Sequence, residues 1–227
     1  MDLADTPRLP GNMADYLLNA LVTLFVTIDP IGLGPIFLAL TRGMSPAVRR
    51  EVALRASIIA GAVLLVFALV GEGILSVLGI SIPAFRIAGG LLLFWIAFEM
   101  VFERREERKK QSAEKAVAED HLGADDARHI AVFPLAIPLI SGPGAISATI
   151  LLASSAPGAT GLVLLLVILA LLITACLLVF LVADRLDHVL GETGRSVLTR
   201  LLGVLLAALS VQFVADGVQA FAQSMVE

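Results

Sequence analysis

The chain has 227 residues, 58% hydrophobic and 16% charged, with a mean hydropathy of +0.94, whereas soluble domains are about half apolar and a quarter charged. This excludes an ordinary soluble domain and makes the chain a membrane protein. The net charge of −4 averages an uneven distribution, no basic, aromatic-interleaved surface suggests nucleic acid, and the single cysteine, Cys176, excludes an intrachain disulfide or a thiol metal cluster.

Residues 1–13 form a polar tail with one basic residue, Arg8. The tail lacks the basic start and small-residue cleavage site of a secretory signal, so the first apolar segment is expected to stay in the mature protein. That segment runs from Ala14 to Leu40 and is interrupted at Asp29-Pro-Ile-Gly-Leu-Gly-Pro35. Neither half crosses a hydrocarbon core of about 30 Å alone, but together they do. The second apolar run, Ala53 to Val70, measures about 27 Å as a helix. Ser81 with Pro83 reads as an N-cap and first turn for a third span reaching Phe102. From Glu103 to Arg128 the chain carries seven Lys or Arg and eight Asp or Glu, which predicts a helix extension followed by a loop with a solvated surface. The fourth span, Ile130 to Leu152, carries a second interruption, Pro138-Leu-Ile-Ser-Gly142-Pro143. The fifth runs from Gly161 to Val182 behind Thr160 as a cap, and the sixth from Leu198 to Ala222.

The two interruptions share the pattern Pro-x-x-x-Gly-Pro, and the third and sixth spans share another: Arg86-Ile-Ala-Gly89-Gly-Leu-Leu92 against Arg200-Leu-Leu-Gly203-Val-Leu-Leu206. Two matches in the same order argue for an internal repeat. The division is residues 1–105 as a first three-helix repeat, 106–128 as a charged cytoplasmic linker, and 129–227 as a second repeat. Of the 16 Lys and Arg, all but Arg8 and Arg86 fall on the side holding the loops after spans one, three and five. The positive-inside rule then makes that side cytoplasmic and puts both termini outside. Three spans per half is an odd number, so the second half enters the membrane in the opposite sense. The expected fold is all-α, with six transmembrane helices in two inverted three-helix repeats, the first helix of each broken near the midplane.

Prolines and glycines in such breaks leave backbone groups unpaired, which membrane depth tolerates only where protein or a water-filled cavity surrounds them. Paired broken helices at equivalent places of inverted repeats point to a transporter's central site. A half-helix is expected to begin around Pro35 and another around Pro143, each with free N–H groups and a positive dipole end suited to a carboxylate. Gly32, Gly34, Gly142 and Gly144 allow close approach to the backbone, and Ser141 adds a hydroxyl. Ile31 and Ala145 complete the two loops. The preceding half-helices end in free carbonyls that can accept from an ammonium group or hold a cation, so a small zwitterion fits both ends. Asp29 can pair with a substrate ammonium, take up a proton or help hold Na⁺; alternatively it caps the next turn through the amides of Ile31 and Gly32. The second copy has Ile137 at the matching position.

Other polar residues carry less. Asn19, Thr23 and Thr27 form a stripe on the first half-helix that serves helix packing or lines a pathway. Ser147 and Thr149 follow the second break and can line the site. Glu99 is expected to snorkel to the cytoplasmic end, Gln212 to bond another helix, Arg86 to pair with Glu72 or Asp216, and Trp95 and Tyr16 to anchor packing or the interface. Gly89 and Gly90 offer a face for a homo-oligomer or for packing within one chain. The three histidines, His121, His129 and His188, fall in or next to loops, and no second acid or base-paired serine accompanies Asp29, so no enzyme is expected.

The stretches Asp29 to Thr41, Phe133 to Ile146 and Arg86 to Phe94 resemble the MarC family of inner-membrane proteins, and the resemblance covers essentially the whole chain. That family is also called the neutral amino acid transporter family, after members that carry glycine and alanine in a proton-linked manner. The resemblance implies a bacterial inner-membrane location and a small neutral amino acid as substrate. The combined expectation is a secondary transporter that needs no cofactor beyond H⁺ or Na⁺ as coupling ion, with the lipid bilayer and a small molecule as its partners. A small-solute channel would need a continuous polar lining, and a structural or assembly protein would use the breaks for packing alone.

Overall fold

The computed structural model describes residues 13–105, 107–111 and 129–224, the side chains of 186–190 and 192 apart. The N-terminal tail, most of the charged linker and His121 lie outside the described residues. The described residues are almost entirely helical. In chain order they form α1 (Met13–Ile28), α2 (Pro30–Leu40), α3 (Pro46–Val77) and α4 (Ile82–Val101). A short helix, α5 (residues 104–105 and 107–111), follows. A wide-turned segment, Ala131–Ile140, then leads to α6 (Pro143–Ser154), α7 (Gly158–Leu181) and α8 (Ala183–Gln223).

Among the described residues, five helical stretches are long and apolar enough to cross a membrane: Met13–Leu40, Pro46–Val77, Ile82–Val101, Gly158–Leu181 and Thr193–Gln223. The pair Ala131–Ile140 and Pro143–Ser154, bent by 56°, makes a sixth if it is taken as one broken span. Ser45 and Ser81 accept from the amides of Val48 and Ala84 and so start α3 and α4, each ahead of a first-turn proline. Arg55, inside the second span, pairs with Glu51 one turn earlier. Thr160 is not a cap: α7 begins at Gly158, two residues earlier, after Pro157 and with no side-chain cap. Within α8, Gly191 adopts φ 60, a region open to glycine at little cost, and separates residues 183–190 from the membrane-length part.

The long helices pack against their counterparts in the other half, and the pieces of the two broken spans pack crosswise. α3 lies on α7, α4 on α8, α1 on α6, and α2 on the wide-turned segment. Other contacts have mates under the same exchange: α3 touches both pieces of the second broken span as α7 touches both pieces of the first, and α4 touches α6 as α8 touches α2. This pattern is compatible with two halves related by a two-fold axis. The buried core surrounds the breaks, with Leu24, Ile28, Leu33 and Phe37 from the first half meeting Leu135, Ile140, Leu151 and Phe180 from the second. Phe37 stacks on Phe180 at 4.6 Å between centroids.

Helices without a hydrophobic drive to associate in lipid rely on close backbone approach. A Cβ on Gly90 would lie 2.9 Å from the Ser210 carbonyl and 3.0 Å from the Val214 nitrogen, and one on Gly217 would lie 3.1 Å from the Pro83 carbonyl. A Cβ on Gly89 would meet Leu151 of α6 at 2.7 Å. The glycine-rich face offered by the sequence to a second copy is therefore filled within the chain. Gln212 also stays local, donating to Asp216 on its own helix at 2.6 Å rather than to a neighbour.

Candidate functional site

The first break is a single residue wide. Asp29 adopts φ 57, ψ 63, a left-handed conformation that aspartate tolerates better than most residues because its short polar side chain can bond locally. Its Oδ1 accepts from the Gly32 amide at 3.1 Å, so the helix resumes at once from Pro30. This corrects the expectation that the second half-helix starts around Pro35, which lies inside α2. Of the two readings of Asp29, the cap is real, and it engages Gly32. Pro30 has no N–H, so the Val26 carbonyl one turn back loses its helical donor.

The second break is wider for a complementary reason. Ile137 stands where Asp29 stands in the first copy and offers no acceptor, and Phe133 and Ile137 both take extended conformations. Regular helix resumes only at Pro143, as expected from the sequence. The Ala136 carbonyl accepts from both the amide and the hydroxyl of Ser141, at 3.0 and 2.8 Å. No side chain caps α6. A Cβ on Gly142 would lie 2.5 Å from the Pro138 carbonyl, so glycine is required for the chain to turn back this tightly.

The element that joins the two breaks is α5, inside the stretch expected to be solvated. Glu103, at φ 61, turns the chain out of α4 in the left-handed conformation common just past a helix end. α5 then runs back over the breaks. Arg105, 4% exposed, donates to the Val26 carbonyl at 3.2 Å and the Thr27 carbonyl at 2.6 Å. One of these is the acceptor that Pro30 leaves free. Lys109, 8% exposed, places its Nζ 3.0 Å from Asp29 Oδ2. Arg108 pairs with Glu99 Oε2 at 3.1 Å, and Trp95 Nε1 donates to Glu99 Oε1 at 3.0 Å. Glu99 is thus buried and paired rather than snorkelling. The solvated reading fails for this part of the linker because two buried acceptor sets, Asp29 and the end of α1, require cations.

A cavity of about 300 Å³ lies where these parts meet, lined by Thr27, Ile96, Arg105, Arg108, Lys109 and the residues Pro138, Leu139 and Gly142 to Ala145. Of the residues expected to bind substrate, Gly142, Gly144 and Ala145 line this cavity. Asp29 reaches it through Lys109, and Gly32 lies beneath the Asp29 carboxylate. Ser141 is buried against Ala136. Gly34 faces Val179 of α7, at 3.5 Å from a notional Cβ. Neither Gly34 nor Ile31 is among the lining residues. Thr27 contributes to the lining, but the stripe it belongs to bonds along its own helix: Thr27 to the Thr23 carbonyl and Thr23 to Asn19. Thr149 likewise bonds the Ala145 carbonyl. Tyr16 fastens α1 to α6 through the Leu152 carbonyl at 2.9 Å. The residues that sequence reasoning missed are Arg105, Arg108 and Lys109. Their i, i+3, i+4 spacing, which puts three cations on one helix face, was the available signal.

A second cavity, of about 400 Å³, lies on the other side of α5 and is lined by Glu103, Arg105, Glu107, Lys110, Thr193, Ser196 and Thr199. Arg105 borders both cavities. Here Glu103 ties the start of α5 to α8, accepting from the Ser196 hydroxyl and pairing with Arg200 at 2.8 Å. The Ser196 hydroxyl, then Arg200, hold the Glu103 carboxyl below its ordinary range. A lowered folded-state pKa contributes stability that is complete above the unfolded value and lost as pH falls through the folded one. Protection of the amides at the end of α4, taken relative to their intrinsic exchange rates, is therefore expected to fall only in acid, and Glu103→Gln to remove that acid dependence; an unchanged profile in the variant would discard the contact.

Comparison with known proteins agrees with this architecture over its length. The model of the MarC family integral membrane protein matches residues 14–222. A UPF0056 membrane protein of Archaeoglobus fulgidus is 37% identical over 203 residues, covering 89% of this chain and 92% of the relative. The UPF0056 membrane protein YhcE of Escherichia coli is 36% identical, covering 87% and 89%. YvbG of Bacillus subtilis is 30% identical, covering 91% and 96%. No solved structure matches. With a family match that spans both breaks and every membrane-length helix, the chain belongs to the MarC family of integral membrane proteins.

Proposed function

We propose that this chain is a secondary transporter of small neutral amino acids of the glycine and alanine class, coupled to H⁺ or Na⁺. It sits in a bacterial inner membrane with both termini outside, as the distribution of basic residues argues. The observation that carries this reading is the complementary chemistry of the two breaks around one cavity. The first break carries its own carboxylate, Asp29, and the Val26 and Thr27 carbonyls at the end of α1, which accept from a cation of α5. The second offers the uncapped first turn of α6, at Gly144 and Ala145, to the same cavity. A helix N-terminus takes a carboxylate, and Asp29 with the α1 carbonyls takes an ammonium group. A volume of about 300 Å³ suits a small amino acid. Exchange between two openings follows from rocking of one half against the other around this site. The same carboxylate can couple transport to an ion, because Asp29 is buried and its charge must be matched in every state.

The reading is tested by uptake of labelled glycine and alanine into proteoliposomes, with and without an imposed pH or Na⁺ gradient. Asp29→Asn keeps an acceptor for the Gly32 amide and tolerance of the left-handed turn, and removes only the charge. Saturable, gradient-stimulated uptake is expected in the wild type, with a loss of about a hundredfold or more in the variant, the equivalent of about 3 kcal/mol. Wild-type protein that is folded, inserted and inert toward both amino acids would refute the proposal. A second reading, a small carboxylate without an amine, is favoured by the three cations lining the cavity; it predicts that acetate competes as well as glycine.

A further inference from the structure

We infer that Lys109 is a tethered stand-in for the amine of the transported molecule, and that α5 closes the site until a primary ammonium group displaces Lys109 from Asp29. The inference rests on the transporter reading and names how that site is regulated. Three observations carry it. First, the acceptors of the first break that would receive a substrate ammonium are already occupied by cations of α5: Asp29 Oδ2 by Lys109 at 3.0 Å, and the Val26 and Thr27 carbonyls by Arg105. Second, these cations belong to a segment that follows α4 only after a turn at Glu103, so α5 can swing about that turn while the membrane-length helices stay packed. Third, α5 separates the two cavities, with Arg105 bordering both. Its withdrawal would join the larger polar cavity to the smaller one between the breaks.

The charge balance makes the exchange feasible. Lys109 leaving Asp29 unpaired at this depth is costly, because a buried carboxylate without a partner loses both its solvation and its counterion. A primary ammonium arriving at the same oxygen restores the pair, so release of α5 is coupled to substrate binding rather than spontaneous. A molecule with a carboxylate and no amine leaves Asp29 unmatched and does not release α5.

The native cysteine supplies a readout that does not depend on transport. Cys176 of α7 is the only cysteine in the sequence. It is buried in the helix that packs against both pieces of the first broken span, α1 and α2. The experiment is the rate of modification of Cys176 by a small polar thiol reagent in the full-length, reconstituted protein, with glycine, methylammonium or acetate present. Glycine and methylammonium are expected to speed labelling of the wild type, and acetate to leave it unchanged. Lys109→Met is expected to label about tenfold faster without any amine, a shift of one decade in the closed population. If that variant does not fold with Asp29 left unpaired, Asp29→Asn/Lys109→Met removes both charges and carries the same expectation. Equal rates in wild type and variants, or equal acceleration by acetate and methylammonium, overturn the inference. Glycine uptake by the same wild-type vesicles is scored separately: uptake with unchanged labelling refutes the closure alone, and responsive labelling without uptake refutes the transport reading alone.

Discussion

Replacing Asp29 by alanine is expected to destabilise the detergent-solubilised protein by about 3–5 kcal/mol, the cost of leaving one member of a buried ion pair uncompensated. The side chains of Lys109 and Asp29 are only 10% and 7% exposed, so solvent screens the pair little. Two smaller losses add to it. Alanine cannot accept from the Gly32 amide, worth about 1 kcal/mol as a helix cap, and it adopts the left-handed turn at a cost of about 1–2 kcal/mol. Asp29→Asn retains an acceptor and tolerates the turn, and so isolates the charge. The partner change decides the matter. Replacing a buried pair by apolar side chains is often close to neutral, so Asp29→Asn/Lys109→Met should be more stable than either single variant. Denaturant titration in mixed micelles of the four proteins makes a double-mutant cycle. Costs that simply add would mean that Lys109 and Asp29 do not hold each other in the folded protein.

The second large effect is expected from Gly90→Leu, at about 3 kcal/mol or more, above the usual range for overpacking. What opposes a side chain at Gly90 is largely backbone, the Ser210 carbonyl and the Val214 nitrogen of α8. Backbone inside a helix cannot rotate away as the tip of a side chain can. α4 and α8 must therefore move apart, and the neighbouring approaches at Gly203 and Gly217 open with them. Gly73→Ala is the matched control, since nothing lies within 4 Å of a Cβ there; it should be neutral or slightly stabilising, because alanine favours a helix over glycine by about 1 kcal/mol. A Gly90→Leu protein within about 0.5 kcal/mol of wild type, the range of an ordinary surface change, would show that α4 and α8 are not in backbone contact.

The two predictions bear on different levels of the molecule. The glycine contacts hold the halves together at their third helices, far along the chain from the breaks. The Asp29–Lys109 pair holds α5 over the first break, where the substrate is proposed to sit. A variant at Gly90 should therefore lower stability without changing which solute is recognised, whereas variants at Asp29 and Lys109 should change both.

Much of the fold was legible because membrane spans are written locally. A helix in lipid must be long, apolar and internally bonded, so hydropathy alone placed the membrane-length helices, and Ser81 with Pro83 marked the start of α4 within a residue. The second break was equally legible, since Gly142 and Pro143 dictate their own turn. The position of the first restart was not, because it depends on whether the Asp29 carboxylate reaches the Gly32 amide or a more distant partner. Thr160 was misread as a cap, and Gln212 as a link between helices, where the local competitors Pro157 and Asp216 won.

What the sequence by itself determined is the set of apolar helices, the two breaks and the presence of one carboxylate between them. Tertiary structure alone decided what that carboxylate faces. Lys109 lies 80 residues from Asp29 in the chain, within a charged run whose composition points to water. The i, i+3, i+4 spacing puts Arg105, Arg108 and Lys109 on one helix face, but nothing local says that this face is buried. Its burial arises only when the helices pack, because a buried carboxylate and a helix end stripped of its donor by Pro30 each demand a positive partner, and the start of the linker is the segment within reach.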